Sequence, residues 1–325
     1  MKLSLSRFFS IGFTALCLFL LVMSPQTASE AVKKALGVCS GIILPSLLPF
    51  FFISGIISAL GIPQSLARLG QKPMYKLFSL SGWACTPLLL GLLGGYPVGA
   101  ASLAELTEKG KLRRDEAERL LPVCNNTGPA FIIGAVGGGI FASPRAGLLL
   151  YASHILSAFF LALLFSVKSA EPSLVPREEN EGCTGLVSAL PQSIRGAVEK
   201  CLGICGFVIF FSILSSLLDE LGFISTAALI ISRVFSLEIG FCKSLLAGML
   251  ELGSGIASMA GLELNPANLS LSAFILGFGS LSVHCQTLSV VSSANIKCAR
   301  HFAGRIIHGA LSAVTVYMAA LLFRI

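Results

Sequence analysis

The stretch ALGVCSGIILPSLLPFFFISGIISAL, residues 35–60, carries no charged side chain. It is longer than the roughly 20 helical residues that cross the hydrocarbon of a bilayer. Similar runs recur along the 325 residues, of which 54% are hydrophobic and only 12% charged, against roughly 25% charged in a soluble domain. The apolar residues come in blocks and not in alternation, which favours helices over a barrel. The sequence therefore predicts an all-α integral membrane protein, a polytopic helix bundle in the lipid bilayer.

The N-terminal segment has two interpretations. Lys2 and Arg7 precede an apolar run over residues 8–23, which small and polar residues follow. This order is typical of a secretory signal peptide, but it also suits a first helix that is retained. We favour retention, so that residues 1–34 form a membrane helix and a loop, with the N-terminus in the cytoplasm.

The charged residues give no sign of an enzyme or a nucleic-acid-binding protein. The formal net charge of +7 is spread between apolar blocks and forms no basic patch with interleaved aromatics, so it is better explained by orientation in the membrane. The sequence has no phosphate-binding, dinucleotide-binding, zinc-protease or serine-hydrolase motif, and its ten cysteines include no C-x-x-C pair. We therefore expect no catalytic residues, no cofactor and no metal.

Residues 77–104 are flanked on both sides by basic residues, which the positive-inside rule assigns to the cytoplasm. A single crossing would place one flank outside, whereas a re-entrant hairpin turning at residues 94–97 keeps both flanks inside. Such broken backbone occurs at membrane depth only where protein or a wet cavity surrounds it. An ordinary kinked span remains the alternative. The preceding segment, residues 62–76, is predicted to be amphipathic and to lie on the cytoplasmic surface.

The second half of the chain repeats features of the first half in the same order. GLLGGYPVGA at residues 91–100 is loosely matched by GMLELGSGIA at residues 248–257. We predict repeats at residues 35–168 and 201–325, joined by a polar cytoplasmic linker at residues 169–200. The second repeat would be inverted, with its own hairpin near residues 242–262 and with Lys297, Arg300 and Arg305 in the cytoplasm. Inverted repeats with broken helices recur among transporters.

Two groups of polar residues interrupt apolar blocks. In the first half, Asn125, Asn126 and Thr127 precede Gly128 and Pro129. Because proline is favoured in the first turn of a helix, these side chains are predicted to cap a half-helix whose N–H groups attract an anion. The alternative is an interfacial cap that binds nothing.

In the second half, Ser280, Ser282, His284 and Gln286 lie within one apolar block. Polar residues there are costly unless they are paired or face water, so hydrogen bonds to neighbouring helices are the alternative to a binding site. We predict that the two groups face each other across a polar cavity at mid-membrane. Neither group contains Lys or Arg, so neutral donors and helix N-termini would hold a small anion.

Three further residues stand out in apolar segments. Glu251 is predicted either to bind a proton or cation or to pair with a basic neighbour. His154 and His308 occupy similar places in the two halves, and we interpret them as packing residues.

Four motifs resemble one family. PSLLPFFF at residues 45–52, GGYPVGA at 94–100, CNNTGPAF at 124–131 and GSLSVHCQ at 279–286 are similar to YlbJ-type sporulation integral membrane proteins. Those proteins carry nucleoside-recognition, or Gate, domains related to concentrative nucleoside transporters and ferrous-iron transporters. The matching motifs give the predicted substrate-binding residues: Gly94, Gly95, Tyr96, Pro97, Gly99, Asn125, Asn126, Thr127, Gly128, Pro129, Ser280, Ser282, His284 and Gln286.

The resemblance implies a sporulation protein of the cell membrane or the outer forespore membrane. It further implies transport of a small anion, dipicolinic acid, between mother cell and forespore. Two alternatives remain open, a nucleoside permease and a scaffold that transports nothing. The sequence leaves the oligomeric state undetermined, and a homo-oligomer is compatible with it.

Overall fold

The computed structural model describes residues 5–166 and 185–325, and in those ranges every regular element is helical. This confirms the predicted all-α membrane class. The first half contains α1 Leu5–Met23, α2 Pro25–Val38, α3 Leu44–Ala59, α4 Ile62–Phe78, α5 Cys85–Gly94, α6 Val98–Glu108, α7 Arg114–Cys124 and α8 Pro144–Leu164. The second half contains α9 Leu186–Glu220, α10 Phe223–Phe235, α11 Ile239–Leu250, α12 Leu252–Ala257, α13 Pro266–Phe278, α14 Leu281–Val291 and α15 Ala299–Phe323. A 3₁₀ turn, Gly82–Ala84, and two π-helical segments, Cys39–Ile43 and Ala130–Ile140, complete the described elements.

In the described ranges, five helical stretches are long and apolar enough to cross a membrane: Pro25–Ala59, Pro144–Leu164, Leu186–Glu220, Pro266–Val291 and Ala299–Phe323. A sixth candidate would join Ile62–Phe78 to Gly82–Gly94, but the chain bends by 98° between them. The bend agrees with a surface helix that leads into a separate membrane segment.

The N-terminal part of the chain differs from the prediction at residues 25–34. They are helical and not a loop, because Pro25 begins α2 in the helix-compatible first turn. Ala28, Ala31 and Ala35 form a buried stripe of small side chains on α2, which lets α2 pack closely against α9. The π-helical segment Cys39–Ile43 then leads into α3, just before Pro45, whose ring excludes the normal backbone hydrogen bond.

The predicted linker also differs at its C-terminal end. Residues 169–184 of it lie outside the described residues. Residues 186–200 form the first turns of α9, which includes Pro191 and ends at Glu220. The cytoplasmic location of the linker stays a prediction.

Two helical hairpins lie where the sequence predicted them. In the first hairpin, formed by α5 and α6, a Cβ built on Gly99 would lie 2.7 Å from the Cα of Gly91, so the chain reverses around residues 95–97. In the second hairpin, formed by α11 and α12, a Cβ on Gly255 would lie 2.1 Å from the Cα of Gly248, so the chain reverses at Glu251. The alternative of a single kinked span over residues 77–104 is therefore wrong.

The two halves share one order of elements. A long helix (α3 or α9) turns through a glycine with positive φ (Gly61, 69°; Gly222, 77°) into a shorter amphipathic helix, α4 or α10. Each half then has a hairpin, a broken helix and a final long helix, α8 or α15. The first broken helix consists of α7 and Ala130–Ile140, and the second consists of α13 and α14. This order supports the predicted repeat, while its domain boundaries and its inverted orientation remain predictions.

Candidate functional site

The tip of the first hairpin packs against the break in the first broken helix. Gly95 has φ +80°, and a Cβ on it would lie 2.7 Å from the backbone nitrogen of Gly128, so a side chain fits neither the conformation nor the space. Next to it, Tyr96 is buried, and its hydroxyl donates to the carbonyl of Leu276 at 2.9 Å. Because Leu276 belongs to the second broken helix, the first hairpin connects the breaks of both halves.

The side chains of the first break make direct contacts with the second half. Asn125 Nδ2 donates to Thr287 Oγ1 at 2.8 Å, and Thr127 Oγ1 donates to the carbonyl of Leu276 at 3.0 Å. The first polar group therefore contacts Thr287 and the backbone of Leu276 directly, and that it faces Ser280, Ser282, His284 and Gln286 across a polar cavity stays a prediction.

The predicted capping by the first group is wrong. Asn126 Nδ2 donates back to the carbonyl of Val123 at 2.6 Å, so it satisfies the end of α7. Pro129 occupies the N-cap position of Ala130–Ile140, and no side chain caps that segment. The helical segment Ala130–Ile140 nevertheless begins directly after Pro129, where the sequence motif predicted a helix start.

The second break is capped as an ordinary helix start. Ser280 Oγ accepts from the backbone N–H of Val283 at 3.2 Å. Gln286 Nε2 donates to Ser282 Oγ at 3.2 Å, and His284 Nδ1 lies 3.2 Å from His301 Nε2. Hydrogen bonding within and between helices, the alternative left open by the sequence, accounts for these contacts.

A cavity lies between the two hairpin tips and the two breaks, and we call it the site cavity. It has a volume of about 80 Å³. Among the predicted substrate-binding residues, its wall contains Gly94, Gly95, Tyr96, Thr127, Gly128 and Gln286. Much of the remaining wall is apolar, with Leu47, Phe50 and Phe131 among its side chains. The cavity is therefore less polar than predicted.

The other predicted residues lie outside this wall. Asn125, Asn126, Ser280, Ser282 and His284 are buried behind it. Pro97 lines a neighbouring cavity, and Gly99 packs against the backbone of Cys124. Pro129 begins the helix beyond the break. A substrate-binding role for any of the predicted set stays a prediction.

Glu251 forms the tip of the second hairpin and lines the site cavity. Its carboxylate accepts from the backbone N–H groups of Gly253 at 2.9 Å and Ser254 at 2.5 Å, which caps α12. In the described part of the chain no Lys or Arg lies within 4 Å of it, which contradicts the alternative of a basic partner. Its role as a proton or cation site stays a prediction.

Arg305 is completely buried beside the site. One guanidinium nitrogen donates to the hydroxyl of Tyr96, and another lies 3.3 Å from the carbonyl of Pro122 and 3.4 Å from Asn126 Oδ1. Among the described residues no carboxylate lies within 4 Å of it. Arg305 is therefore buried in the helix bundle and not exposed at the cytoplasmic surface as predicted, and it lies beside the site although neither polar group contains Lys or Arg.

No family model matches the chain. A curated relative, the sporulation integral membrane protein YlbJ of Bacillus subtilis (strain 168), is 30% identical and is aligned over 97% of this chain and 84% of its own length. The chain belongs to the YlbJ family. The family resemblance that the four motifs indicated is thereby confirmed, and the alignment extends it over nearly the whole sequence.

Two solved structures share the fold of the YlbJ-family protein. The structure of CNTnw in an inward-facing, substrate-bound state matches with a TM-score of 0.56 and 13% identity, over 98% of this chain and 87% of the other. An outward-facing structure of a CNTnw variant matches with a TM-score of 0.52 over the same shares. At this identity the match shows the fold alone, which the chain shares with CNTnw.

The sequence of this YlbJ-family protein did contain a signal for Arg305. His301, Arg305, His308 and Ser312 follow one another at spacings of four, three and four, so they lie on one face of α15. All four are buried, and on an apolar helix such a polar face must meet partners inside the bundle. His308 indeed packs on His154, with ring centroids 4.4 Å apart, and His154 Nε2 accepts from the N–H of Thr127 at 3.3 Å.

Proposed function

We propose that this protein moves a small organic anion across a membrane during sporulation. The observation that carries the proposal is Arg305, a buried cation with neutral partners only: Tyr96, Asn126 and the carbonyl of Pro122. Taking a charge out of water costs several kcal/mol, and neutral hydrogen bonds offset this cost only in part. A bound anion nearby would compensate the charge.

Tyr96 joins Arg305 to the site cavity. Its hydroxyl accepts from the guanidinium while its side chain forms part of the cavity wall. Arg305 therefore lies one side chain behind the wall, where it attracts an anion without pairing with it directly. Attraction across this distance is substantial because the interior screens charge weakly, and release stays easier than from a direct ion pair.

The substrate we propose is a small aromatic dianion such as dipicolinic acid. Phe50 and Phe131 give the wall apolar area for an aromatic ring, while Thr127 and Gln286 supply hydrogen-bonding groups. The family name connects the protein with sporulation. A nucleoside is the second candidate, because the fold is shared with CNTnw, whose structure is substrate-bound.

Uptake into vesicles tests the proposal. Purified protein is reconstituted into liposomes, and uptake of labelled dipicolinate is compared with that of labelled uridine and with empty liposomes. We expect accumulation of dipicolinate and not of uridine. Uptake of uridine alone would establish the nucleoside permease, and uptake of neither would favour the scaffold.

A single substitution tests the role of the buried charge. Asn126→Asp would place a carboxylate beside Arg305, because the Asn126 side-chain oxygen already accepts from it at 3.4 Å. We expect the new ion pair to abolish dipicolinate uptake. Both Asn126→Asp and Asn126→Ala lose the hydrogen bond from Nδ2 to the carbonyl of Val123, so Asn126→Ala is the control for that loss, and it should reduce uptake less. Parent-like uptake by Asn126→Asp would contradict the anion site.

A further inference from the structure

A polar cavity opens at the end of the bundle where α3 and α6 end and α9 begins. It has a volume of about 460 Å³, and we call it the vestibule. Polar and charged side chains from these three elements form much of its wall: Ser58, Glu105, Lys109, Gln192, Ser193 and Lys200. None of them belongs to the motifs considered above.

A second cavity adjoins the vestibule along α9 and is open to the outside at Lys200 and Gly203, which are exposed. This inner chamber, of about 290 Å³, shares Phe51 and Lys200 with the vestibule. At its other end it shares Ile204 and Gln286 with the site cavity. The three cavities therefore form one series, in which each adjoins the next along shared side chains.

Lys200 stands where the vestibule meets the inner chamber. The other charged groups nearby are already paired: Lys109 with Glu105 at 2.8 Å, and Glu199 with Arg195 at 3.2 Å. In the described part of the chain no carboxylate lies within 4 Å of Lys200, and its ammonium lies 5.7 Å from the ring centroid of Phe51. Phe51 is itself buried and lines both cavities.

We propose that this series of cavities is the route between the vestibule and the site cavity. We further propose that Lys200 selects negatively charged solutes at the junction marked by Phe51. A cation at this junction attracts carboxylates and repels cations, and Gln286 offers the next polar group on the way inward. The selection by Lys200 rests on the proposed anion transport, whereas the route does not.

The glycines of α9 allow a matched test of the route. A Cβ added to Gly203 or to Gly206 meets no atom within 4 Å, so a larger side chain fits at either position. Gly203 lines the inner chamber and the groove beside it, whereas Gly206 lines that groove and not the chamber. We expect Gly203→Leu to lower uptake about 10-fold or more, since it fills the chamber, and Gly206→Leu to change it less than about 2-fold.

Ser289→Leu, from α14 on the opposite wall of the chamber, should act like Gly203→Leu. Protein level and thermal midpoint serve as folding controls for all three variants. Uptake that survives both Gly203→Leu and Ser289→Leu would overturn the route.

Charge variants test Lys200 separately. Lys200→Gln should raise the KM for dipicolinate about 5- to 10-fold with little change in maximal rate, because it weakens attraction and leaves the site cavity intact. Lys200→Arg should retain uptake, and Lys200→Glu should abolish it. Lys72→Gln on the exposed face of α4 is the control for loss of a positive charge.

The outcomes separate the two proposals. If Lys200→Glu leaves anion uptake unchanged, Lys200 does not select charge. If the parent moves uridine but no dianion, and Gly203→Leu blocks that uptake, the route stands and the anion proposal fails. A parent protein that moves neither solute overturns both.

Discussion

The two hairpins have the same geometry and opposite chemistry. Both reverse direction next to a close glycine pair, and both tips line the site cavity. The first tip carries Tyr96, which is hydrogen-bonded to a buried cation, and the second carries Glu251, whose carboxylate is satisfied by its own backbone. Two hairpins of similar geometry therefore present to the same cavity one wall with a buried cation behind it and one acidic wall. Such a difference favours a site that holds an anion without trapping it.

The largest effect is expected at the wall with the buried cation behind it. Arg305→Met should abolish anion uptake, by about 100-fold or more, because it removes the only proposed source of full positive charge beside the site. Arg305→Lys keeps the charge but loses the forked contacts to Tyr96 and Asn126, so it should retain part of the activity. Uptake is measured per amount of folded protein in the vesicles. Full activity of Arg305→Met would show that the buried cation does not contribute to uptake. The contrast between the two hairpin tips would then have no functional meaning.

A second test compares how the hairpins pack. A Cβ on Gly91 would lie 1.7 Å from the backbone carbonyl of Cys124, whereas a Cβ on Gly248 would meet the side chain of Ile275 at 2.8 Å. Backbone cannot move aside as a side chain can. Gly91→Ala should therefore destabilise the protein by about 3 kcal/mol or more, and Gly248→Ala by about 1–2 kcal/mol. Thermal unfolding in detergent measures both, and equal effects would show that the hairpins are packed alike.

The acidic wall should give a smaller, opposite effect. Glu251→Gln removes the negative charge and keeps an oxygen for only one of the two N–H groups, those of Gly253 and Ser254, that now donate to separate carboxylate oxygens. Less repulsion should tighten anion binding about 5-fold and slow its release. Substrate-dependent thermal stabilisation reports the affinity. Weaker binding would indicate that Glu251 contacts the substrate or carries a proton with it.

The smallest effect concerns the contact between the two breaks. Asn125→Ala and Thr287→Val each remove one partner of a buried hydrogen bond of 2.8 Å. A double-mutant cycle should give a coupling energy of about 1 kcal/mol in thermal stability. Additive effects would mean that the two halves are held together elsewhere.

Much of this fold could be predicted because its signals are local. Blocks of apolar residues predict the helices. The basic flanks and the Gly-Gly-Tyr-Pro turn predict the first hairpin, and the similar sequence at residues 248–257 predicts the second. The start of α2 was missed because residues 25–34 carry enough polar side chains to resemble a loop.

The site was predicted only in part, since it depends on contacts between distant segments. The cavity wall includes Thr127 and Gln286 as expected, but Arg305 was assigned to a surface cluster on the basis of its basic neighbours Lys297 and Arg300. Its spacing relative to His301 and His308 was the better guide. The partner of each buried side chain, such as Thr287 for Asn125, cannot be read from either segment alone.

The position of Arg305 also constrains how the protein is made. Arg305 is the seventh of the 25 residues of α15, and an arginine within a membrane helix raises the cost of inserting that helix, by about 2.5–3.5 kcal/mol at the helix centre. The groups that relieve this cost, on Tyr96, Pro122 and Asn126, are synthesised before α15. We therefore expect α15 to insert next to partners that are already in place, and a misfolded first hairpin to leave Arg305 without them.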